Sequence, residues 1–381
     1  MKVLVFFTYG VSLKLWNDKG LLQREIQLYQ ELINKFGVSI VFVTYGDETD
    51  YQYQEIVGDI EIIPIYDYIK KPNNKFLQIL QTIVIPFKIK SSIKVADVIK
   101  TNQTLGAWMA SIASILYKKP LLTRCGYELY DFAIKAKKNR IYKLFVYLIS
   151  WIAYKSANRI HVATKQDKCF VIDRFKIKSS KIHIFPNWID TSKYKSFRRV
   201  LNKGSILFVG RLNKQKNISL LLKALSGTKV LLDIVGEGNL KNILRKEANE
   251  LGVTVNFLGS ISNDKMPELY NNYKVYVLCS HYEGNPKTLL EAMSCGCAVI
   301  GTDVPGIREI IINRENGLLV KGGKYELRDS INELIDSPDL CDQLGSSATK
   351  SVVSNNSLTS IFNREINAYR AVLSEHSFRL K

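Results

Sequence analysis

Two glutamates, Glu283 and Glu291, bracket the stretch Glu-Gly-Asn-Pro-Lys-Thr-Leu-Leu-Glu, whose inner residues suit a helix that opens onto an anion. Asn285 is a capping type, Pro286 fits a first helical position, and Gly296 is placed to end the helix. At such a start the N–H groups of Lys287, Thr288 and Leu289 lack partners inside the helix and favour a phosphate in front of them. Glu291 stands five residues past Pro286, about 7.5 Å along the axis at roughly 1.5 Å per residue. A diphosphate at the helix mouth would therefore bring an attached ribose to the Glu291 carboxylate, which can accept from both hydroxyls. Glu283 precedes the helix and is expected to face an open cleft.

A second group is Phe208-Val-Gly-Arg211 followed by Leu-Asn-Lys-Gln-Lys216. Gly210 ends a buried strand without a side chain, which leaves room for a ligand. Arg211 and Lys216 then leave the strand end as two cations able to neutralise one diphosphate leaving group without a metal ion. Phe257-Leu-Gly-Ser260 ends another strand, so Gly259 and Ser260 could offer main-chain groups to a nucleotide base. Val235-Gly-Glu-Gly-Asn-Leu-Lys241 imitates a dinucleotide fingerprint, but Lys241 replaces its third glycine and no acidic residue follows at the required distance. It reads as a tight turn before a helix. The four histidines have no metal-ligand spacing, and no P-loop, Gly-x-Ser-x-Gly elbow or Asp-x-Asp motif occurs. No cofactor or metal is expected.

These residues need sheets to present them. Strands are expected at Val3–Phe7, Ser39–Val43, Ile60–Ile65, Val98–Thr101, Leu121–Arg124, Ile160–Ala163 and Ile182–Phe185, with helical stretches such as Leu21–Phe36 and Thr104–Tyr117 between them. The pattern restarts at Ile206–Val209, with a helix over Ile218–Leu225, strands at Val230–Val235, Val255–Leu258, Val275–Leu278 and Ala298–Gly301, and helices after Lys324. Alternation at this spacing means α/β architecture, two doubly wound Rossmann-like domains with parallel sheets facing an inter-domain cleft. The expected division is 1–190, a polar and basic linker at 191–203, and 204–381, with the last helix returning to the first domain. A length of 381 residues fits two domains, and six cysteines without a Cys-x-x-Cys pair read as reduced thiols in a cytosolic protein. The apolar run at Val3–Phe7 is too short for a signal-peptide core, and Ile141–Tyr154 is too short to span a membrane.

The stretch Ile206–Val320 resembles the nucleotide-sugar domain of the retaining glycosyltransferases of family four, which have the GT-B fold. The resemblance rests on "FVGRLNKQKN", "LDIVGEG", "VNFLGSI", "ELYNNYKVYVLCSHYEGNPKTLLEAMSCGCAVIGTDVPGIREII" and "NGLLV", and "IHIFPNWID" resembles the segment joining the domains. It implies that Arg211 and Lys216 hold the donor diphosphate, that Glu291 binds the ribose and that Glu283 meets the transferred sugar. In the first half, "KGLLQREIQLYQEL" resembles the helix start near the donor phosphates, with Gly20 at the glycine. In "LLTRCGYE", Cys125 stands where many members carry histidine. Arg124 and the backbone near Gly126 are then the groups available to the sugar or acceptor.

Charge points to the acceptor's surroundings. The chain carries a formal net charge of +19, and Lys135–Lys181 holds thirteen basic against two acidic residues among Tyr142, Phe145, Tyr147, Trp151 and Tyr154. The pattern fits a solubilising surface, or a helix lying on an anionic leaflet with aromatics inward and lysines toward the headgroups. The expected function is transfer of a sugar from a UDP- or GDP-linked donor to a hydroxyl of a lipid-linked or polysaccharide acceptor, in synthesis of lipopolysaccharide, capsule or a similar cell-surface glycan. The enzyme would be cytoplasmic and peripheral at the inner face of the membrane. A nucleotide-sugar epimerase or hydrolase on the same fold is the alternative enzyme, and nucleic-acid binding is disfavoured because the aromatics fall at helical spacing.

Overall fold

The computed structural model describes residues 1–197 and 204–380, apart from the side chains at 75, 76 and 378–380. The chain divides into two compact units, Met1–Phe185 with Phe362–Lys381, and Pro186–Ile361. The first carries seven parallel strands: β1 (Lys2–Phe6), β2 (Ser39–Thr44), β3 (Glu61–Pro64), β4 (Val98–Thr101), β5 (Leu121–Cys125), β6 (Arg159–Val162) and β7 (Ile182–Ile184). Their order is β3-β2-β1-β4-β5-β6-β7. The second carries six: β8 (Ser205–Val209), β9 (Leu231–Val235), β10 (Val255–Gly259), β11 (Val275–Leu278), β12 (Ala298–Thr302) and β13 (Leu318–Val320), in the order β10-β9-β8-β11-β12-β13. Both orders reverse direction once, the doubly wound arrangement expected from the strand–helix alternation.

The strands form where β-branched and aromatic side chains run together because both faces of each sheet are covered by helices. Val3, Leu4, Val5, Phe6 and Phe7 are all buried, as are Ile206, Leu207 and Phe208. β13, three residues long and paired with β12 at the sheet edge, is not among the expected strands. Of the expected linker, Thr191–Phe197 belong to the second unit, where Ile189 and Tyr194 are core residues; 198–203 lie outside the described residues. Polar composition around it concealed the Tyr194 anchor. The closing helix, Leu358–Leu380, begins in the second unit, and its residues from Phe362 onward belong to the first. There its Glu365 meets Lys100 of β4, both of them buried.

Candidate active site

In the second unit, the reversal of strand order falls between β8 and β11. At such a reversal the connections leave neighbouring strands toward opposite faces of the sheet, the place where open α/β sheets bind ligands. The two motifs leave the sheet at that point: Gly210 and Arg211 follow β8, and residues 279–283 follow β11. A backbone bond and a side-chain bond tie their loops together. His281 N–H donates to the Gln215 carbonyl at 2.8 Å, and Gln215 Nε2 donates to the Tyr282 carbonyl at 3.0 Å.

Lys216 and Glu283, 67 residues apart in sequence, form an ion pair at 2.5 Å with side chains only 11% and 7% exposed. Ser280 Oγ donates to the same carboxylate oxygen at 2.6 Å, and Gln215 Nε2 approaches the other at 3.5 Å. Glu283 is thus held by the loop after β8, whereas the sequence suggested an open carboxylate with Lys216 aimed elsewhere. The reason is tertiary: the ends of β8 and β11 are adjacent, and a carboxylate screened from water needs a cation. Arg211 is exposed, and its charge is felt at Tyr282, whose hydroxyl pKa is raised by burial and by Glu283 and partly restored by Arg211.

The helix expected after Pro286 runs Lys287–Ser294, with Gly296 beyond it in the left-handed conformation. Its cap differs from expectation. Pro286 is itself the N-cap, its carbonyl accepting from Leu290 N–H, and no side chain caps the start. Asn285 turns instead to Asn187, accepting from that residue's N–H at 2.9 Å and, through its own carbonyl, from its Nδ2 at 2.6 Å. The first-turn N–H groups of Lys287, Thr288 and Leu289 therefore keep no side-chain cap, the condition for an anion site. Thr288 Oγ1 accepts from Tyr276 at 3.0 Å, Leu289 is a core residue, and Lys287 Nζ lies 5.2 Å from the Trp188 ring centroid. One turn in, Glu291 is 3% exposed and accepts from the Tyr270 hydroxyl at 3.0 Å. Burial and this carboxylate push the Tyr270 hydroxyl well above its usual pKa.

Several supports were not singled out from sequence. Gly236 has φ +132°, and a Cβ there would lie 2.0 Å from the Gly210 carbonyl oxygen. The glycines of Val235-Gly-Glu-Gly thus let two strand-end loops touch, more than the turn they were read as. Gly236 N–H donates to the Gly259 carbonyl at 2.8 Å, which engages one of the main-chain groups offered to a base; Ser260 follows it, exposed. A Cβ at Gly306 would lie 2.0 Å from the Gly284 carbonyl oxygen, so that glycine seats the loop carrying Glu283. Ser280, Gln215 and Tyr270 gave no local signal, since their polar partners come from other segments.

The remaining expected residues lie in the first unit. Gly20, in the left-handed conformation, follows the helix Leu13–Asp18 and donates to the Asn17 carbonyl at 2.8 Å. Arg124, Cys125 and Gly126 form the carboxyl end of β5 and its exit. The Arg124 guanidinium lies 5.6 Å from the Phe185 ring centroid, and Gly126 N–H donates to Gln103 at 2.8 Å. The Cys125 thiol is buried, 3.3 Å from the Tyr154 hydroxyl, and burial pushes its pKa well up. Its sulfur faces core, not solvent.

Beside it sits Glu128, fully buried, capping the helix Leu129–Lys135 by accepting from Asp131 N–H at 2.7 Å. Burial, with the Asp167 carboxylate adding to it, raises the Glu128 pKa from 4.5 to about 7. The folded state therefore holds a proton that the unfolded chain releases at lower pH, so stability declines as pH rises between about 4.5 and about 7. Glu128→Gln keeps an acceptor for the cap and removes that decline. Melting followed by circular dichroism should find the variant the more stable protein at pH 8, by up to about 3 kcal/mol, and near parity at pH 5. Parallel pH profiles for the two proteins would contradict the assignment.

The family model described as "Glycosyl transferases group 1" matches residues 191–351, and that described as "Glycosyltransferase Family 4" matches residues 26–193. Among curated proteins, the chain is 23% identical over 343 residues to "UDP-Gal:alpha-D-GlcNAc-diphosphoundecaprenol alpha-1,3-galactosyltransferase" of Escherichia coli, covering 84% of this chain and 85% of that protein. It is 31% identical over 178 residues to the Campylobacter jejuni "GalNAc-alpha-(1->4)-GalNAc-alpha-(1->3)-diNAcBac-PP-undecaprenol alpha-1,4-N-acetyl-D-galactosaminyltransferase", covering 44% and 48%. Against three of its curated relatives the chain spans 59%, 61% and 48% of their lengths. In fold it is similar to Anabaena HepE in complex with UDP, with a TM-score of 0.77 at 18% identity, covering 97% of this chain and 100% of that one.

Proposed function

We propose that this chain, which belongs to the family 4, group 1 glycosyltransferases of GT-B fold, moves a sugar from a nucleoside-diphosphate donor to a hydroxyl of a lipid-linked or polysaccharide acceptor, with retention of anomeric configuration. The observation that carries this reading is the convergence of Arg211, the Lys216–Glu283 pair and the uncapped start of the helix Lys287–Ser294 at one strand-order reversal. In this reading Arg211, Lys216 and the helix N–H groups bind the diphosphate and stabilise the charge that grows on it as the sugar departs. Glu291 takes the ribose. Glu283, anchored by Lys216 and Ser280, meets the transferred sugar. The acceptor hydroxyl attacks from the face that the diphosphate leaves, and the departing phosphate oxygen takes its proton, so no protein nucleophile is needed.

HepE's complex with UDP, together with the UDP-Gal in the name of the Escherichia coli relative, supports a uridine nucleotide over guanosine. The undecaprenol-linked substrates named for two relatives support a polyprenyl-diphosphate glycan as acceptor, met at the inner face of the cell membrane. Gly20, Arg124 and Gly126 are proposed to contact donor or acceptor from the first unit.

The test has two parts. A thermal-shift panel should show stabilisation by UDP, about 2.7 kcal/mol at 100 times the dissociation constant. Proton NMR of the first product should then show the donor's configuration, and an inverted product would defeat the same-face mechanism. Glu291→Ala should raise the donor KM by one to two orders of magnitude, the loss of charge-assisted bonds of about 1.5–3 kcal/mol, with kcat little changed. A dominant fall in kcat would place Glu291 at the reacting centre instead.

A further inference from the structure

The helix Arg140–Ser156 in the first unit has two apolar faces. One, with Val146, Ile149, Ala153 and Tyr154, is buried against the helices Leu129–Lys135 and Ala107–Tyr117 and against β5. The other holds Ile141, Leu144, Phe145, Leu148, Trp151 and Ile152 at helical spacing, all exposed; Ile141 is 83% and Leu144 60% accessible. At 100° per residue these six fall within an arc of about 120°. A helix that is apolar on both sides is ordinarily buried on both, and this one is covered on one side only. Of the aromatics in this segment, Tyr142, Phe145 and Trp151 are exposed and Tyr154 is buried.

Charge selects what covers the open face. Lys137, Lys138, Arg140 and Lys155 are exposed around it, and Leu129–Asn158 contains a single acidic residue, Asp131, which is paired with Lys135. A second copy of the chain would bring two basic rims together in a symmetric contact. Anionic headgroups meet the same rim favourably while acyl chains take the apolar stripe. At 17 residues the helix is about 26 Å long, shorter than a spanning helix, and its inner face is already occupied.

We infer that this exposed stripe is a membrane-docking surface: the helix lies in the plane of an anionic bilayer, with Ile141, Leu144, Leu148 and Trp151 inserted among the acyl chains. The inference rests on the lipid-linked acceptor proposed above and names the surface that brings the enzyme to it. Insertion makes the binding only partly electrostatic. Salt should weaken it by screening the lysines and arginines, each worth about fivefold in partitioning, without abolishing it.

Flotation with phosphatidylcholine vesicles containing about one-third phosphatidylglycerol tests this. The protein should float with them at low salt and retain a measurable fraction in about 1 M NaCl, where the Debye length is ~3 Å. Leu144→Asp/Leu148→Asp should lower partitioning about a hundredfold, with the UDP thermal shift unchanged because neither side chain supports the core. Trp151 fluorescence should be quenched by brominated acyl chains, and Trp151→Phe should lose that quenching. Wild-type protein that does not float would overturn the inference, as would a double variant that floats equally well. So would a solution dimer that the double variant converts to monomer. A nucleotide panel with no thermal shift would instead overturn the transferase reading and leave the docking result standing.

Discussion

Arg211→Ala should lower kcat/KM for the donor by two to three orders of magnitude while leaving the melting temperature within a degree or two. The side chain is exposed at the carboxyl end of β8, so the fold does not depend on it. Its proposed target is a diphosphate that is charged in the ground state and more so as the sugar departs. Removing one preorganised donor to such a group costs about 10²–10³ in rate, and the ground-state share should appear as a raised KM. Lys216 is the less clean probe: Lys216→Met also leaves Glu283 screened from water without its cation, which should destabilise the unit as well as slow it. Glu283→Gln should lower kcat more than it raises KM. Steady-state kinetics with a melting curve for each variant separates these outcomes. A less than fivefold effect of Arg211→Ala would remove it from the diphosphate site.

The largest stability effect is expected in the first unit. Lys100 of β4 and Glu365 of the closing helix form a fully buried ion pair, with Tyr369 accepting from Lys100 at 3.3 Å and the Tyr29 ring centroid 5.0 Å away. Burial, the largest single influence, pushes the Glu365 carboxyl up; the Lys100 charge, His161 and the hydrogen bonds from Lys100 and Tyr369 together outweigh it and bring the pKa down to about 2. Lys100 moves the matching way: burial lowers its pKa, and the Glu365 charge and hydrogen bond together with Tyr29 raise it past the usual value. Lys100→Met or Glu365→Leu alone strands a charge and should cost about 3–5 kcal/mol. For a unit of this size that is a fall of roughly 6–20 °C in Tm. The double variant should recover more than half of the loss, because an apolar pair of similar volume strands nothing. Calorimetry on the three proteins measures this directly, and additive losses would contradict the coupling. Since the folded pKa of Glu365 lies below the unfolded 4.5, its contribution is present at neutral pH and is lost as pH falls toward about 2.

The sequence by itself determined most of the strands and where the helix Lys287–Ser294 starts and stops. Strand–helix alternation placed β4, β8 and β11 within a residue of where they lie, because burying both faces of a parallel strand demands an uninterrupted apolar run. Pro286 and Gly296 marked the helix Lys287–Ser294 through backbone restrictions that act locally. Tertiary structure decided which partner each polar group meets. Lys216 reaches Glu283 across 67 residues, Lys100 reaches Glu365 across 265, and Asn285 turns to Asn187 although its position suits a cap. A side chain's type limits the partners it accepts, and only the crossing of distant segments supplies one. Periodicity in Arg140–Ser156 likewise shows apolar residues on two faces without saying which face finds a neighbour. The helices packed on one side settle that, and they leave the other face open.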